Sequence, residues 1–238
     1  MSKNLLPDFN IQVIAFMISA CSVLFVSCQP ALAQAQRPNI LLIVVDDAGY
    51  SDIGSFGSEI QTPNIDALAS VGIRFTQFGV RATCSPTRSM LLSGTDNHLA
   101  GLGNMAEFTA PNQKGKPGYE GYLNENVAPL PALLKDAGYN TYMAGKWHMG
   151  EEPEHYPSAR GFMRDFTLIP GGGSHMDDMW GAKGERQLYT KNGKPIESLR
   201  PGFYSSEDYT ASIIENIDEN RTDGKPFFVY LALPAPHD

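Results

Sequence analysis

The sequence has little positive charge, and it lacks the motifs of nucleotide-binding enzymes. Its 238 residues contain 18 Lys and Arg against 26 Asp and Glu, which gives a net charge of -8. Since no basic run interrupts this acidic balance, we expect neither DNA nor RNA as a partner. The glycine-punctuated loop at residues 49–57 has neither GxGxxG nor GxxxxGK[ST] spacing, so it indicates no nucleotide site. An acidic surface still permits an anionic substrate, because a pocket can gather its own cations.

Cysteine is also scarce, and two of the three cysteines lie in a segment typical of export signals. Residues 1–33 combine a polar start containing Lys3, an apolar run at about 11–26 and a small-residue cleavage site at 31–33. We predict that residues 1–33 are removed as a signal peptide and that the protein is periplasmic or secreted. Since the run is shorter than the ~20 apolar residues of a spanning helix, we expect no stable membrane span. Lipid attachment at Cys28 is an alternative.

Cys84 is then the sole cysteine of the predicted mature chain, residues 34–238. It has no partner for an intramolecular disulfide, and a lone thiol in an exported protein is a candidate for reaction or modification. The residues that follow it predict the first turns of a helix, whose positive end, together with Arg88, favours a tetrahedral anion. The segment alone is equally compatible with a small cysteine packed at a strand-helix junction.

The apolar patterning predicts an α/β fold. Residues 39–45 form a continuous apolar run rich in β-branched side chains, typical of a strand buried on both faces of a parallel or mixed sheet. Further strands are predicted at 74–80, 140–144 and 227–233, and helices at 62–69, from about 86, at 129–137 and at 205–220. We therefore expect a mixed, largely parallel sheet flanked by helices, within one domain.

Two long stretches are predicted as irregular loops. Residues 94–123 and 150–204 are rich in glycine, proline and polar side chains, and we expect the second stretch to pass over the site and shape substrate access. His98 and His175 lie in these stretches. We expect both to be ordinary loop histidines.

Polar side chains follow three of the predicted strands. Asp46 and Asp47 end the first, where two adjacent carboxylates suit a hard divalent cation or, alternatively, a solvated turn with a helix cap. Lys146 and His148 follow the strand at 140–144, and alternation places them on one side, where both could reach one ligand. The alternative is a surface lysine beside a core-edge histidine. His237 follows the last predicted strand.

These segments together resemble the type I sulfatases, the formylglycine-dependent members of the alkaline phosphatase superfamily, over residues 38–237. Cys-Ser-Pro-Thr-Arg at 84–88, with Leu-Leu-Ser-Gly at 91–94, is similar to the family's first signature, and residues 138–148 are similar to its second. Ser93 departs from the threonine that the family more often has. The order of the two signatures, with paired aspartates upstream, also matches the family.

Two loops, at 94–107 and 116–125, resemble those of bacterial arylsulfatases in particular. In the family, further calcium ligands, an Asp-Asn pair, and a second sulfate-contacting lysine lie well beyond the equivalent of Asp238. The resemblance therefore implies an alkaline phosphatase/sulfatase-like fold of which residues 34–238 are the amino-terminal part. On that basis we expect this chain alone to fold poorly and to have little activity.

The resemblance implies a covalent mechanism built on Cys84. A sulfatase-maturing enzyme would oxidise it to Cα-formylglycine, whose hydrated aldehyde is the nucleophile. Asp46, Asp47 and the modified Cys84 would bind Ca²⁺, and Arg88 would hold the hydrate.

The same resemblance assigns the remaining site residues and the substrate class. Lys146 and His237 would bind sulfate and assist the leaving oxygen, and His148 would take the proton that triggers sulfate elimination. The substrate would be a small-molecule or carbohydrate sulfate ester. Two alternatives stay open: a phosphonate monoester or phosphodiester hydrolase of the same superfamily, and an inactive truncated fragment.

Overall fold

The computed structural model describes residues 37–180 and 184–237. The predicted signal peptide at 1–33, including Cys28, lies outside the described residues. Within them, eight strands and four α-helices form. The strands are β1 (Ile40–Asp46), β2 (Asn140–Lys146), β3 (Arg164–Leu168), β4 (Met179–Trp180), β5 (Glu185–Arg186), β6 (Tyr189–Lys191), β7 (Lys194–Pro195) and β8 (Phe227–Pro236). The helices are α1 (Pro63–Val71), α2 (Cys84–Ser93), α3 (Leu130–Asp136) and α4 (Ser205–Asn220).

One six-stranded sheet organises the described residues, in the order β1-β8-β2-β3-β6-β7. The first four strands in that order run parallel, and β6 and β7 add an antiparallel edge. This confirms the predicted mixed, largely parallel sheet. The predicted burial of the first strand on both faces is wrong, because β1 is an edge strand that exposes Leu41, Ile43 and Val45. Because β1, β8 and β2 are parallel neighbours, their carboxyl ends lie side by side at one edge. None of the helices in the described part of the chain is long and apolar enough to cross a bilayer.

Two apolar clusters cover the two faces of the sheet. Along β8, Phe228 and Tyr230 belong to one cluster, and Val229 and Leu231 to the other, as the period of two in a strand requires. The first cluster contains the fully buried Trp147, and the second joins the sheet to α4. Each such buried side chain contributes about 1.5–3 kcal/mol to the free energy of unfolding.

The predicted strand at 74–80 is wrong, because these residues form no strand and expose Phe75, Phe78 and Val80. A strand needs a neighbour to accept its backbone hydrogen bonds. Among the described residues β1 pairs only with β8, and residues 74–80 do not pair with its free edge. A groove of about 680 Å³ instead separates β1 from residues 78–81.

The stretch at 150–204 is more regular than the sequence indicates. It contains β3 to β7. Strand β3 pairs in parallel with β2, and Ala144 of β2 lies opposite Phe166 of β3. These strands are short and carry charged residues, so they show neither a long apolar run nor a clear alternation. The prediction of an irregular excursion is therefore wrong for this part of the chain.

Gly145 permits the close pairing of β2 with β8. Its φ is +108°, and a Cβ placed there would lie 1.9 Å from the carbonyl oxygen of Ala232.

We expect Gly145→Ala to lower the free energy of unfolding of the full-length gene product by more than about 3 kcal/mol, since backbone strain and a steric clash with the backbone add. Urea denaturation measures this. Gly79→Ala is the matched control, because a Cβ at Gly79 meets no atom within 4 Å; equal losses in the two variants would contradict the assignment.

Candidate active site

Three buried charged groups meet at the carboxyl ends of β1 and β2. Asp46, the last residue of β1, accepts a hydrogen bond from Lys146 Nζ at 2.5 Å and one from Arg88 Nη2 at 2.9 Å. All three side chains are almost fully buried. Two positive charges and one negative charge leave this cluster with a net charge of +1 when all three are ionised. A buried net positive charge favours an anionic ligand.

The charge of Asp46 follows from a competition between burial and its partners. Burial alone raises the pKa of Asp46, but the charge of Arg88 and the hydrogen bond from Lys146 outweigh that effect. The pKa of Asp46 therefore falls below its ordinary value, and the carboxylate is ionised at neutral pH.

Arg88 forms hydrogen bonds with residues on three strands. It lies on α2, and its Nη1 donates to the carbonyl oxygen of Lys146 at 2.9 Å and to the Tyr230 hydroxyl at 3.3 Å. The guanidinium thus contacts the ends of β1 and β2 and the middle of β8. Tyr230 was not predicted as a site residue, because in the sequence it is one aromatic residue within an apolar strand.

Cys84 is the first residue of α2, one turn before Arg88 on the same side of the helix. The sequence predicts a helix from about residue 86, and the structure begins it two residues earlier, with Thr83 as the extended residue before it. Burial raises the pKa of the Cys84 thiol, and Lys146 opposes this only in part. The unmodified thiol is therefore largely protonated at neutral pH and is a weak nucleophile.

The described residues offer a partial cage for a cation beside Cys84. Ligand atoms of Asp46, Cys84 and His237 lie within 4.8 Å of one another. The exposed Asp47 is close by, with its Oδ2 3.9 Å from His237 Nε2. Ca²⁺ takes about six to eight oxygen ligands, and among these groups the carboxylates of Asp46 and Asp47 supply oxygen, so they fit one side of a calcium site. The predicted ligand set of Asp46, Asp47 and modified Cys84 stays a prediction.

His148 lies just beyond β2 and contacts a residue that the sequence did not single out. Its Nε2 lies 3.0 Å from Glu107 Oε1, whereas Lys146 reaches Asp46. Because β2 ends at Lys146 and His148 has a φ of +57°, strand alternation does not extend to His148. Their action on one ligand stays a prediction. Glu107 belongs to a loop that resembles bacterial arylsulfatases, which is the one sequence signal that could have pointed to it.

His237 is held by a histidine that was predicted to be an ordinary loop residue. His175 Nε2 donates to the backbone oxygen of His237 at 2.9 Å, and its Nδ1 lies 2.8 Å from Ser205 Oγ at the start of α4. His175 therefore links the end of β8 to α4. His98, in contrast, is the exposed loop residue that the sequence predicts, and it contacts Asp96 and Tyr119.

Comparisons with known proteins identify the family to which the chain is similar. The sulfatase family model matches residues 38–238. An uncharacterized sulfatase of Schizosaccharomyces pombe is 51% identical over 216 residues, which cover 86% of this chain and 39% of that protein. The arylsulfatase of Klebsiella aerogenes is 43% identical over 209 residues, with 87% and 44% covered.

Solved structures are similar to the chain in fold. The crystal structure of Ps i-CgsB superposes with a TM-score of 0.67 at 30% identity and covers 85% of this chain and 46% of that one. BT4656, solved in complex with its substrate D-glucosamine-2-N,6-O-disulfate, gives a TM-score of 0.62 at 32% identity, with 84% and 35% covered. The chain thus spans less than half the length of these relatives.

Proposed function

The chain belongs to the sulfatase family, and from this premise we propose that the full-length gene product hydrolyses sulfate esters at the site around Cys84. The observation that carries the proposal is the buried cluster in which Arg88 and Lys146 both contact Asp46. Its net positive charge lies where the helix that begins at Cys84 presents free backbone N–H groups. Such a site suits the oxygens of a tetrahedral sulfuryl group.

The nucleophile that we propose is Cα-formylglycine, made from Cys84 by a sulfatase-maturing enzyme. One hydroxyl of its hydrate attacks sulfur, and the ester oxygen leaves as an alcohol or phenol. The second hydroxyl then loses its proton, the sulfate leaves, and the aldehyde is regenerated. Water then adds to the aldehyde and restores the hydrate, so two easier steps replace one difficult displacement. The raised pKa of the Cys84 thiol supports this choice, because the unmodified group is a weak nucleophile.

Some of the neighbouring side chains would bind the substrate, and others would transfer protons. Arg88 would hold the hydrate and neutralise developing charge, as its fork beside Asp46 permits. Lys146 and His237 would bind sulfate oxygens and assist the leaving oxygen, and His148 would accept the proton from the second hydroxyl.

Calcium is the cation that this donor set fits best. Asp46, Asp47 and the modified Cys84 would hold it, together with oxygens from outside the described residues. When bound, it would supply Lewis acidity toward a sulfate oxygen. The adjacent carboxylates support the choice of a hard cation over a soft one, since oxygen donors suit calcium and magnesium.

The substrate that we propose is a small-molecule or carbohydrate sulfate ester, met by a periplasmic or secreted enzyme. A sulfated sugar is supported by BT4656, whose substrate is a glucosamine disulfate. The maturing enzyme would be the protein partner.

Comparing two substrates tests the reaction class. For the full-length gene product, we expect kcat/KM for p-nitrophenyl sulfate to exceed that for p-nitrophenyl phenylphosphonate by about tenfold or more, which is ~1.4 kcal/mol of transition-state discrimination. Both substrates are monoanions with an aryl leaving group, so binding charge is matched. The reverse ranking would favour the phosphonate monoester or phosphodiester hydrolase.

A further inference from the structure

We propose that Glu107 is a positioning residue for the reaction, which fixes the ring of His148 so that Nδ1 is the nitrogen free to take a proton. The inference rests on the proposed function, in which His148 is the proton acceptor. Beyond the proposed function, it assigns a role to Glu107 and a separate role to each ring nitrogen of His148.

The contact with Glu107 indicates which ring nitrogen of His148 carries the hydrogen. His148 Nε2 lies 3.0 Å from Glu107 Oε1. The hydrogen bond from His148 lowers the pKa of Glu107, and together with the charge of Lys146 it outweighs the opposing effect of burial. Glu107 is therefore a carboxylate that can only accept, so Nε2 carries the hydrogen. Lys146, two residues before His148, contacts Asp46, so the pair lies beside the charged cluster.

The second ring nitrogen of His148, Nδ1, is the one that can accept a proton. His148 is 9% exposed, and its Nδ1 is buried without a hydrogen-bond partner among the described residues. In a neutral imidazole whose hydrogen is on Nε2, Nδ1 is an acceptor with a free lone pair. A buried acceptor with no partner destabilises the fold, and a role toward a substrate proton accounts for its presence.

The backbone around His148 restricts the ring on a second side. His148 donates its backbone N–H to Ile169 at 3.0 Å and has a φ of +57°, which is unusual for a residue other than glycine. A Cβ on Gly171 would lie 2.5 Å from Cε1, 2.6 Å from Nε2 and 3.0 Å from Nδ1 of the ring. Gly171 thus packs against one part of the ring, and Glu107 holds Nε2.

Glu107 is itself presented by an ordered turn. The short 3₁₀ helix Ala106–Phe108 carries it, and Asn104 Nδ2 donates to the carbonyl oxygen of Phe108 at 2.8 Å. The Glu107 side chain is 47% exposed, so its replacement costs the core little. This makes it suitable for a test in which activity changes and stability does not.

The test uses four variants of the full-length gene product: Glu107→Ala, Glu107→Gln, His148→Ala and the double variant Glu107→Ala with His148→Ala. We expect Glu107→Ala to lower kcat for p-nitrophenyl sulfate about 10- to 100-fold, which is less than the ~10²- to 10⁴-fold contribution of a general base because His148 itself stays in place, with KM unchanged within about twofold. Glu107→Gln should keep most of the activity, because its amide oxygen accepts the same hydrogen bond. In the His148→Ala background, Glu107→Ala should have no further effect.

Glu154→Ala is the matched control, since Glu154 is also an exposed glutamate in a 3₁₀ turn, and it should leave kcat unchanged. Wild-type protein that turns over no sulfate ester would reject the proposed function itself. Active wild type with a Glu107→Ala kcat within twofold of it would overturn the positioning role alone. Equal losses in Glu107→Ala and Glu107→Gln, or losses that multiply in the double variant, would overturn it as well.

Discussion

Cys84→Ala is expected to lower kcat for p-nitrophenyl sulfate by about 10⁴-fold or more, as the loss of a covalent nucleophile does in other hydrolases. The variant removes one half-buried sulfur at the start of α2, and the groups that we assign to sulfate binding stay in place. The change therefore falls on kcat and leaves the thermal midpoint nearly unchanged. Steady-state kinetics on the full-length gene product, with a melting curve for each preparation, measures both.

Ser93→Ala is the control on the same helix. Its hydroxyl donates to the backbone oxygen of Ser89, away from the charged cluster, so kcat should change by less than about twofold. Turnover by Cys84→Ala above a tenth of the wild-type value would contradict the role of Cys84 as nucleophile.

Arg88→Ala is expected to lower the free energy of unfolding by about 3–5 kcal/mol, because it breaks a buried ion pair by removing one partner. Arg88 is 2% exposed and forms hydrogen bonds with Asp46, the Lys146 carbonyl and Tyr230. The same variant should reduce kcat/KM by about 10²-fold or more, since a charge-stabilising donor is lost. Chemical denaturation and kinetics on one preparation separate the two effects.

Two further variants sharpen this prediction. Arg88→Lys keeps the charge but loses the planar fork, so it should recover part of the stability and little of the activity. Arg221→Ala removes an exposed arginine that lies 3.9 Å from Asp218, and it should change stability by no more than about 0.5 kcal/mol. A loss for Arg88→Ala as small as that for Arg221→Ala would show that the buried cluster does not stabilise the fold.

The parts of the site that lie on strands were predictable, because strands of the sheet have recognisable apolar patterns in the sequence. β1 and β8 contain long apolar runs, β2 is a shorter and more polar strand, and parallel pairing brings the carboxyl ends of all three together. The polar residues that end them had therefore to be neighbours, and Asp46 and Lys146 are in contact. Asp46 also lies in register with Pro236, the residue before His237.

The parts that depend on loops could not be predicted. Glu107 and His148 are 41 positions apart, and His175 is 62 positions from His237. No periodicity links such pairs, because loop geometry, not a repeating backbone pattern, brings them together. The failed strand at 74–80 has a different cause: alternation predicts a strand, but it does not supply the neighbouring strand that must pair with it.

The most direct test of the account is the mass of the tryptic peptide at residues 82–88, taken from full-length protein that is turning over an aryl sulfate. Cleavage after Arg81 and Arg88 isolates the residue at position 84 from the rest of the site. We predict a peptide that is lighter than the cysteine form by the exchange of SH₂ for O, as formylglycine requires. An active preparation in which this peptide carries only unmodified cysteine would contradict the account.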